Sequence, residues 1–447
     1  MARNTPPNLT RREILRATAA ATAAFAVARA DDRPAVTKPR ATSGDSAVEP
    51  NWEQRISLTV APKDADLVGS NEKVIQAAVD YVTRLGGGTV KVLPGTYRLR
   101  NSVFLTSNVR IVGSGEESLL LKEPSVESKL AADSDWYDQE ITLSDASGFE
   151  VGDGICLRTK DVDTGAVHVL KRTLVARSGN RFKLDKALRD NFWTEKEPTV
   201  TSVFPLLTAE FMNDIAIENI ALDGNKENNA YLDGNYGGCI WFQDCSRISM
   251  RGVTARNNNG DGISWQICHD VNVEDCHSHD NKDLGLHPGS GSQRPLIRNN
   301  HSERNGIGIF FCWGVKYGLA EKNRIEDNRD YGISIGHRDS ENLVRDNDVL
   351  RSGKAGILFR PESGEGFTAQ GNRFENNRII DSGAEDGIGI DVQGVTASNI
   401  VARNTVKETR GPASRIGIRL GNETGANELT DNRIEGYSVP IQDLRKA

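Results

Sequence analysis

The chain has 447 residues, a formal charge of −7, and 43 glycines against 15 prolines, with only 6% aromatic residues. An acidic body of this size excludes general binding to nucleic acid or to an anionic membrane, which need a basic face. Glycine together with recurring Asn-Asn and Asn-Gly pairs means turn chemistry used many times over.

Residues 1–30 carry TRREILR (10–16), the apolar run ATAAATAAFAV, and then Ala28-Arg29-Ala30. Paired arginines, a short apolar stretch and a small-x-small site resemble a twin-arginine export signal, an address read by a receptor and then removed. The run is too short to span a bilayer, and no later segment is long enough. The expectation is an exported protein, periplasmic or extracellular, with no membrane anchor. Losing the five arginines and one glutamate of residues 1–30 takes the charge from −7 to −11. Residues 31–50 read as a disordered polar linker.

Residues 51–130 read as an N-terminal cap and the first coils. The stretch NEKVIQAAVDYVTRLGGGTVKVLPGTYRLRNSVFLTSNVRIVGSG (71–115) opens with Val74, Ile75, Ala78, Val79 and Val82 at helical spacing, and a glycine run and strands follow. It resembles the entry of pectate-lyase-superfamily right-handed β-helices, in which such a helix caps the open end of the core. Residues 131–200 alternate like antiparallel strands (SGFEVGDGICL, VARSGNRFKLDKAL) and read as a β-rich insertion.

From 201 to 447 the chain repeats. Successive units begin DCHSHDN (275–281), NNHSERN (299–305), KNRIEDN (322–328), DNDVLRS (346–352), NNRIIDS (376–382), RNTVKET (403–409) and DNRIEGY (431–437). Their second residues, Cys276, Asn300, Asn323, Asn347, Asn377, Asn404 and Asn432, are 24, 23, 24, 30, 27 and 28 apart. A second motif accompanies them: GISW (262–265), GLHP (285–288), GIFF (308–311), GISI (332–335), GILF (356–359), GIGI (387–390) and GIRL (417–420). One such unit cannot bury an apolar face alone, whereas stacked units can. Asn suits left-handed turn geometry and can hydrogen-bond to the same Asn one coil along. The expected fold is all-β, a right-handed single-stranded parallel β-helix with an N-terminal capping helix and a β-rich insertion.

Cysteines 156, 239, 245, 268, 276 and 312 form neither CxxC nor a zinc spacing. Cys245 and Cys268 hold equivalent places on adjacent coils, as stacked buried thiols or as a disulfide.

Phasing the repeats gives one outward column, Trp241, Ser264, His287, Phe310, Ser334, Leu358, Gly389 and Arg419. A second runs Gln243, Gln266, Gly289, Cys312, Gly336, Arg360, Asp391 and Gly421. His287 thus falls between Ser264 and Phe310, near flat apolar faces (Trp241, Phe310, Trp313) of the kind a sugar ring stacks on. Over most of residues 51–447, LDGN (222–225), the Asn-turn coils and SVPIQ resemble the catalytic module of secreted alginate C5-epimerases. That family's Tyr-Gly-Phe-Asp-Pro-His falls on DGISWQ (261–266), so Ser264 and Gln266 replace its acidic residue and histidine. Its nearby lysine falls at Tyr231, and a His-Pro pair appears one coil later, at 287–288.

The resemblance and the column imply an exported enzyme acting on a polysaccharide laid in the groove. The leading expectation is a lyase that cleaves a uronate-containing polymer by β-elimination, with His287, Tyr231 and Arg338 as the catalytic set. Trp241, Gln243, Gln266, Phe310, Trp313, Lys316, His337 and Arg360 would bind substrate. Alternatives are a glycoside hydrolase using Glu362 and Asp391 as a carboxylate pair, a uronan epimerase, and a non-catalytic polysaccharide-binding β-helix. No cofactor is required on any of these readings. Calcium fits the acidic loops, but no Asp-x-Asp-x-Asp-Gly loop is present and no metal site is assigned. Monomer and trimer both remain open.

Overall fold

The structure is a computed structural model that describes residues 33–36, 49–160, 165–362 and 364–446. The twin-arginine segment and most of the 31–50 linker lie outside those residues. Arg33, which was expected within a disordered linker, is instead docked on a coil. Its guanidinium donates to Asn272 Oδ1 (2.7 Å) and to the Arg294 carbonyl (2.8 Å) and lies 3.7 Å from Asp270.

The helix Glu72–Arg84 starts at Asn71, whose side chain accepts from Lys73 N. Ile75, Ala78, Val79 and Val82 are fully buried, closing the first coil as the 3.6-residue spacing predicts. Beyond it, each coil contributes three short strands, and every coil-to-coil pairing is parallel. Eleven strands, from Val103–Phe104 to Val439–Asp443, make one sheet; the other strands of the coils form the remaining faces.

The G-I motif explains itself in this sheet. Ile263, Leu286, Ile309, Ile333, Ile357, Ile390 and Ile418 are in register and fully buried. Each contributes about 1.5–3 kcal/mol of burial. The preceding glycine is required because a Cβ on Gly285 would collide with Ser302 Oγ, which caps the Gly308 carbonyl.

Asn300, Asn323, Asn347, Asn377, Asn404 and Asn432 form a continuous ladder with side-chain bonds of 2.9–3.0 Å. The left-handed residue is not the ladder asparagine but the one before it: Asn299, Lys322, Asp346, Asn376, Arg403 and Asp431 all have φ near +55°. Such a conformation costs a non-glycine residue about 1–2 kcal/mol, and the ladder bonds offset it. All six cysteines are free thiols; Cys268 Sγ accepts from Cys245 N (3.4 Å).

One sequence register is corrected. Leu358 pairs with Asp391, and Asp391 with Arg419, so Asp391 belongs to the first column and Gly389 does not. The longer coil slipped the expected phase by two residues.

The insertion runs from Glu127 to Thr201, slightly wider than expected, as a six-stranded antiparallel sheet. Its own core holds Phe149, Leu157, Phe182 and Phe192. A smaller cluster, Cys156, Val203 and Leu232 with Val169, Ala230 and Tyr236, joins the insertion to the 230–236 loop. That contact places the loop beside the eleven-stranded sheet.

Candidate active site

Outward residues of the eleven-stranded sheet line a cavity of about 280 Å³, near the lower end of small-molecule sites. His287 forms part of it, with Phe310 from the next coil. The 230–236 loop supplies Tyr231 and Asp233, while turns entering three strands supply Asp261, Asp283, Arg329 and Asp330. Gly234 lets the loop approach closely, since a Cβ there would strike the Asp261 carboxylate.

At the floor, His287 Nδ1 lies 2.7 Å from Asp261 Oδ2, and both side chains are almost fully buried. Ser264 Oγ lies 3.2 Å from the same nitrogen. The serine hydroxyl donates its one hydrogen to the Gly234 carbonyl (2.7 Å) and accepts from Gln266 Nε2. It can therefore only accept from His287, which assigns the hydrogen to Nδ1. Nε2 is left buried with no hydrogen-bond partner. Leaving such an atom unpaired costs about 1–3 kcal/mol, a cost that a substrate hydroxyl would remove. Asp261 also accepts from Leu284 N (3.1 Å); burial pushes its pKa up, and His287 opposes the shift.

Above the floor, the Tyr231 hydroxyl donates to Asp233 Oδ2 (3.4 Å), and Asp283 lines the same cavity. Burial, then Asp283 and Asp233, drive its pKa far above the ordinary phenol value, so it stays protonated. Asp330 is matched by Lys354 (2.7 Å) and Arg329 (3.6 Å).

The sequence-predicted residues divide into two groups. His287, Tyr231 and Phe310 share the cavity, with Phe310 edge-on to His287 (5.5 Å between centroids). Trp313, His337, Arg338 and Glu362 gather at a second place. Trp313 is 54% exposed and stacks on His337 (4.3 Å), whose Nδ1 lies 3.4 Å from Glu362. Arg338 is corrected as a catalytic group: its guanidinium covers Phe367 and donates to the Gly366 carbonyl, away from His287.

Several substrate-binding expectations are also corrected. Trp241 is 2% exposed because the insertion strand Val167–Ser178 lays Lys171 over its ring. Gln266 is buried, spent on Ser264 and on the backbone N of Ser290. Gln243 bonds to Asp244, and Lys316 lies on a different stack, bridging Gln293 and Ser340. Arg360 clips Asp339, Ser334 and the Phe311 carbonyl while supporting the Phe310 ring (4.4 Å). Glu362 and Asp391 are not a pair, since Glu362 holds His337 and Asp391 holds Arg419 (2.6 Å). Asp233, Asp261, Asp283, Arg329 and Asp330 were not singled out from sequence. A signal existed for three of them: Asp261, Asp283 and Asp330 each stand one or two residues before the glycine of a G-I-type strand.

Lys171 carries a prediction of its own. Its buried ammonium has no hydrogen-bond partner, Glu210 is 3.9 Å away, and burial pushes its pKa down to about 7. Between pH 7 and the unfolded value near 10.5 the folded state holds fewer protons, so its contribution makes stability rise with pH. Lys171→Met is expected to remove that rise and to stabilise the protein at pH 7 by about 1–2 kcal/mol. Urea unfolding of both proteins at pH 7 and pH 9 checks it.

The profile of the family described as "Right handed beta helix region" matches residues 238–386. The chain is a right-handed β-helix protein. Among solved structures, the β-helix is similar to the Azotobacter vinelandii mannuronan C-5 epimerase AlgE4 A-module. Identity is 16%, coverage 86% of this chain and 97% of that one, and the TM-score 0.51. A structure named "Glycoside hydrolase" matches at 10% identity over 86% and 97% of the two chains, with a TM-score of 0.48. The Dettilon tailspike protein matches at 11% identity over 83% and 68%, with a TM-score of 0.49. No curated protein sequence matches this chain. Among the described residues, no helix is long and apolar enough to cross a membrane.

Proposed function

We propose that this β-helix is a polysaccharide-cleaving enzyme that hydrolyses a glycosidic bond in a neutral polymer. The observation that carries the reading is that two carboxylates, Asp233 and Asp283, line one cavity together with Tyr231 and the buried Asp261–His287 dyad. Hydrolases place such pairs about 5–5.5 Å apart when they retain configuration and about 6.5–9.5 Å apart when they invert it. One carboxyl gives its proton to the glycosidic oxygen as the C–O bond breaks. The other takes a proton from the attacking water, or attacks first and is released by water. His287 Nε2 accepts from a sugar hydroxyl, and Asp261 holds the ring for it. Phe310 and the exposed Trp313 supply apolar faces for the sugar rings on either side.

Electrostatics decides against an acidic polymer. A uronate about 6 Å from the ionised member of the pair would be repelled by about 2–3 kcal/mol at an effective dielectric of 20. Among the described residues Arg329 is the one cation in the lining, and it is engaged by Asp330, while Lys282 is spent over the Tyr231 ring (4.7 Å). β-Elimination remains a second reading because His287 and Tyr231, a base and a protonated acid, occupy one cavity. The experiment incubates the mature chain with neutral glucans, mannans, xylans and galactans and with uronans. It reads reducing ends and the absorbance of unsaturated uronate. New reducing ends on a neutral polymer support hydrolysis. Unsaturated products on a uronan, with no release from neutral polymers, would replace it with elimination.

A further inference from the structure

We infer a divalent transition-metal site, of the class that zinc, cobalt and nickel occupy, on the coil face next to the cavity. Its ligands are His277, His301 and Glu303. The strands His277–His279, His301–Glu303 and Arg324–Glu326 are consecutive rungs, with His277 paired to His301, and Glu303 to His279 and Glu326. Ser278 and Ser302 point inward and are fully buried, which turns the histidines and Glu303 to the outer face.

The geometry is that of a partly gathered coordination shell. The His277 and His301 rings lie 4.7 Å apart and only 3° from parallel. His277 Nε2 is 3.0 Å from Glu303 Oε1, and His301 Nε2 is 3.8 Å from Glu303 Oε2. The three ligand atoms all lie within 4.8 Å of one another. A tetrahedral ion with bonds of about 2.0–2.1 Å needs ligand atoms about 3.3 Å apart, and the two imidazoles must turn out of their parallel stack so that both lone pairs meet one ion. Imidazole nitrogen with a single carboxylate favours zinc and its transition-metal neighbours over calcium or magnesium.

The surroundings limit the ligand set to three. Glu326 lies 2.9 Å from His301 Nε2 and is also held by Arg324 and Arg351; an ion on that nitrogen would take the place of this contact and leave Glu326 to the two arginines. Arg304 sits on Glu303 Oε2 and leaves Oε1 facing His277. His279 stacks on His277 (4.1 Å) but gives its Nδ1 to Asp280. Water completes the shell. The ion would tie two successive coils together where the chain leaves His279 for the turn that presents Asp283.

The test uses the tag-free mature chain, dialysed against EDTA and titrated with zinc chloride by calorimetry. One zinc per chain is expected, with a raised Tm. His277→Asn and His301→Asn should each weaken binding at least about tenfold, and Asp283→Asn should leave it unchanged. Cobalt(II) bound to the wild-type chain, which needs no variant, should give the visible bands of a four-coordinate ion. The absence of saturable zinc binding would overturn the site, as would binding of equal strength in the His277→Asn/His301→Asn double variant. Loss of binding in Asp283→Asn alone would move the ion into the cavity and equally overturn it.

Discussion

Asp283→Asn is expected to lower kcat on the neutral polysaccharide by about 10³–10⁴-fold, with KM nearly unchanged. The amide keeps the shape of the side chain, but it cannot carry a proton through the reaction, and general acid–base groups contribute up to about 10⁴-fold. Asp233→Asn should fall in the same range. His287→Ala should cost less, about 10–100-fold, and should raise KM, because on this reading the imidazole binds a hydroxyl and does not take the transferred proton. The ordering is the decisive feature. If elimination is the reaction, His287→Ala becomes the most damaging change, and Asp283→Asn relieves repulsion and improves binding of a uronan. Measuring kcat and KM for the three variants on one polymer therefore separates the readings even where each variant loses activity.

The scaffold was legible in the sequence because its forces repeat. The G-I strand, the stacked asparagine and the capping helix each recur or follow a period, so each position is supported by its equivalents one coil away. The site does not repeat. His287 could be found because it interrupts a column, and Phe310 because it follows in the same column. The partner of His287 was hidden: Asp261 lies in the turn before the preceding coil's strand, and only the coil-to-coil register brings it under the ring. The Tyr231 loop has no counterpart in the repeat and owes its place to the insertion, through Leu232 against Cys156 and Val203. Trp241 failed for the same reason in reverse. Its column position is outward, and the insertion then covers it. Readings made from repeats hold where coil meets coil and fail where an inserted element settles on the coils.

Asn347→Ala is expected to destabilise the protein by about 3–5 kcal/mol, among the largest effects of a single change in this chain. Asn347 Oδ1 accepts from both the backbone N and Nδ2 of Asn323 (3.0 and 2.9 Å). Its Nδ2 donates to the Ala320 carbonyl and to Asn377 Oδ1 (3.0 and 2.9 Å). Alanine leaves the buried Asn323 N–H and one Nδ2 hydrogen without acceptors, each costing about 1–3 kcal/mol, and opens a void beside them. The left-handed Asp346 then loses the bonds that offset its strain. Asn347→Asp should do no better, because it places a carboxylate against two oxygens where a donor is required. Asn432 supplies the control. It ends the ladder, accepts from Asn404 N and Nδ2 (both 3.0 Å) and donates to Val401 with no asparagine beyond it; because it is half-buried, water reaches the donors it frees, so Asn432→Ala should cost less, about 1–2 kcal/mol. Urea unfolding of both variants measures the contrast, and equal losses at the two positions would mean that the ladder's strength does not come from pairing on both sides.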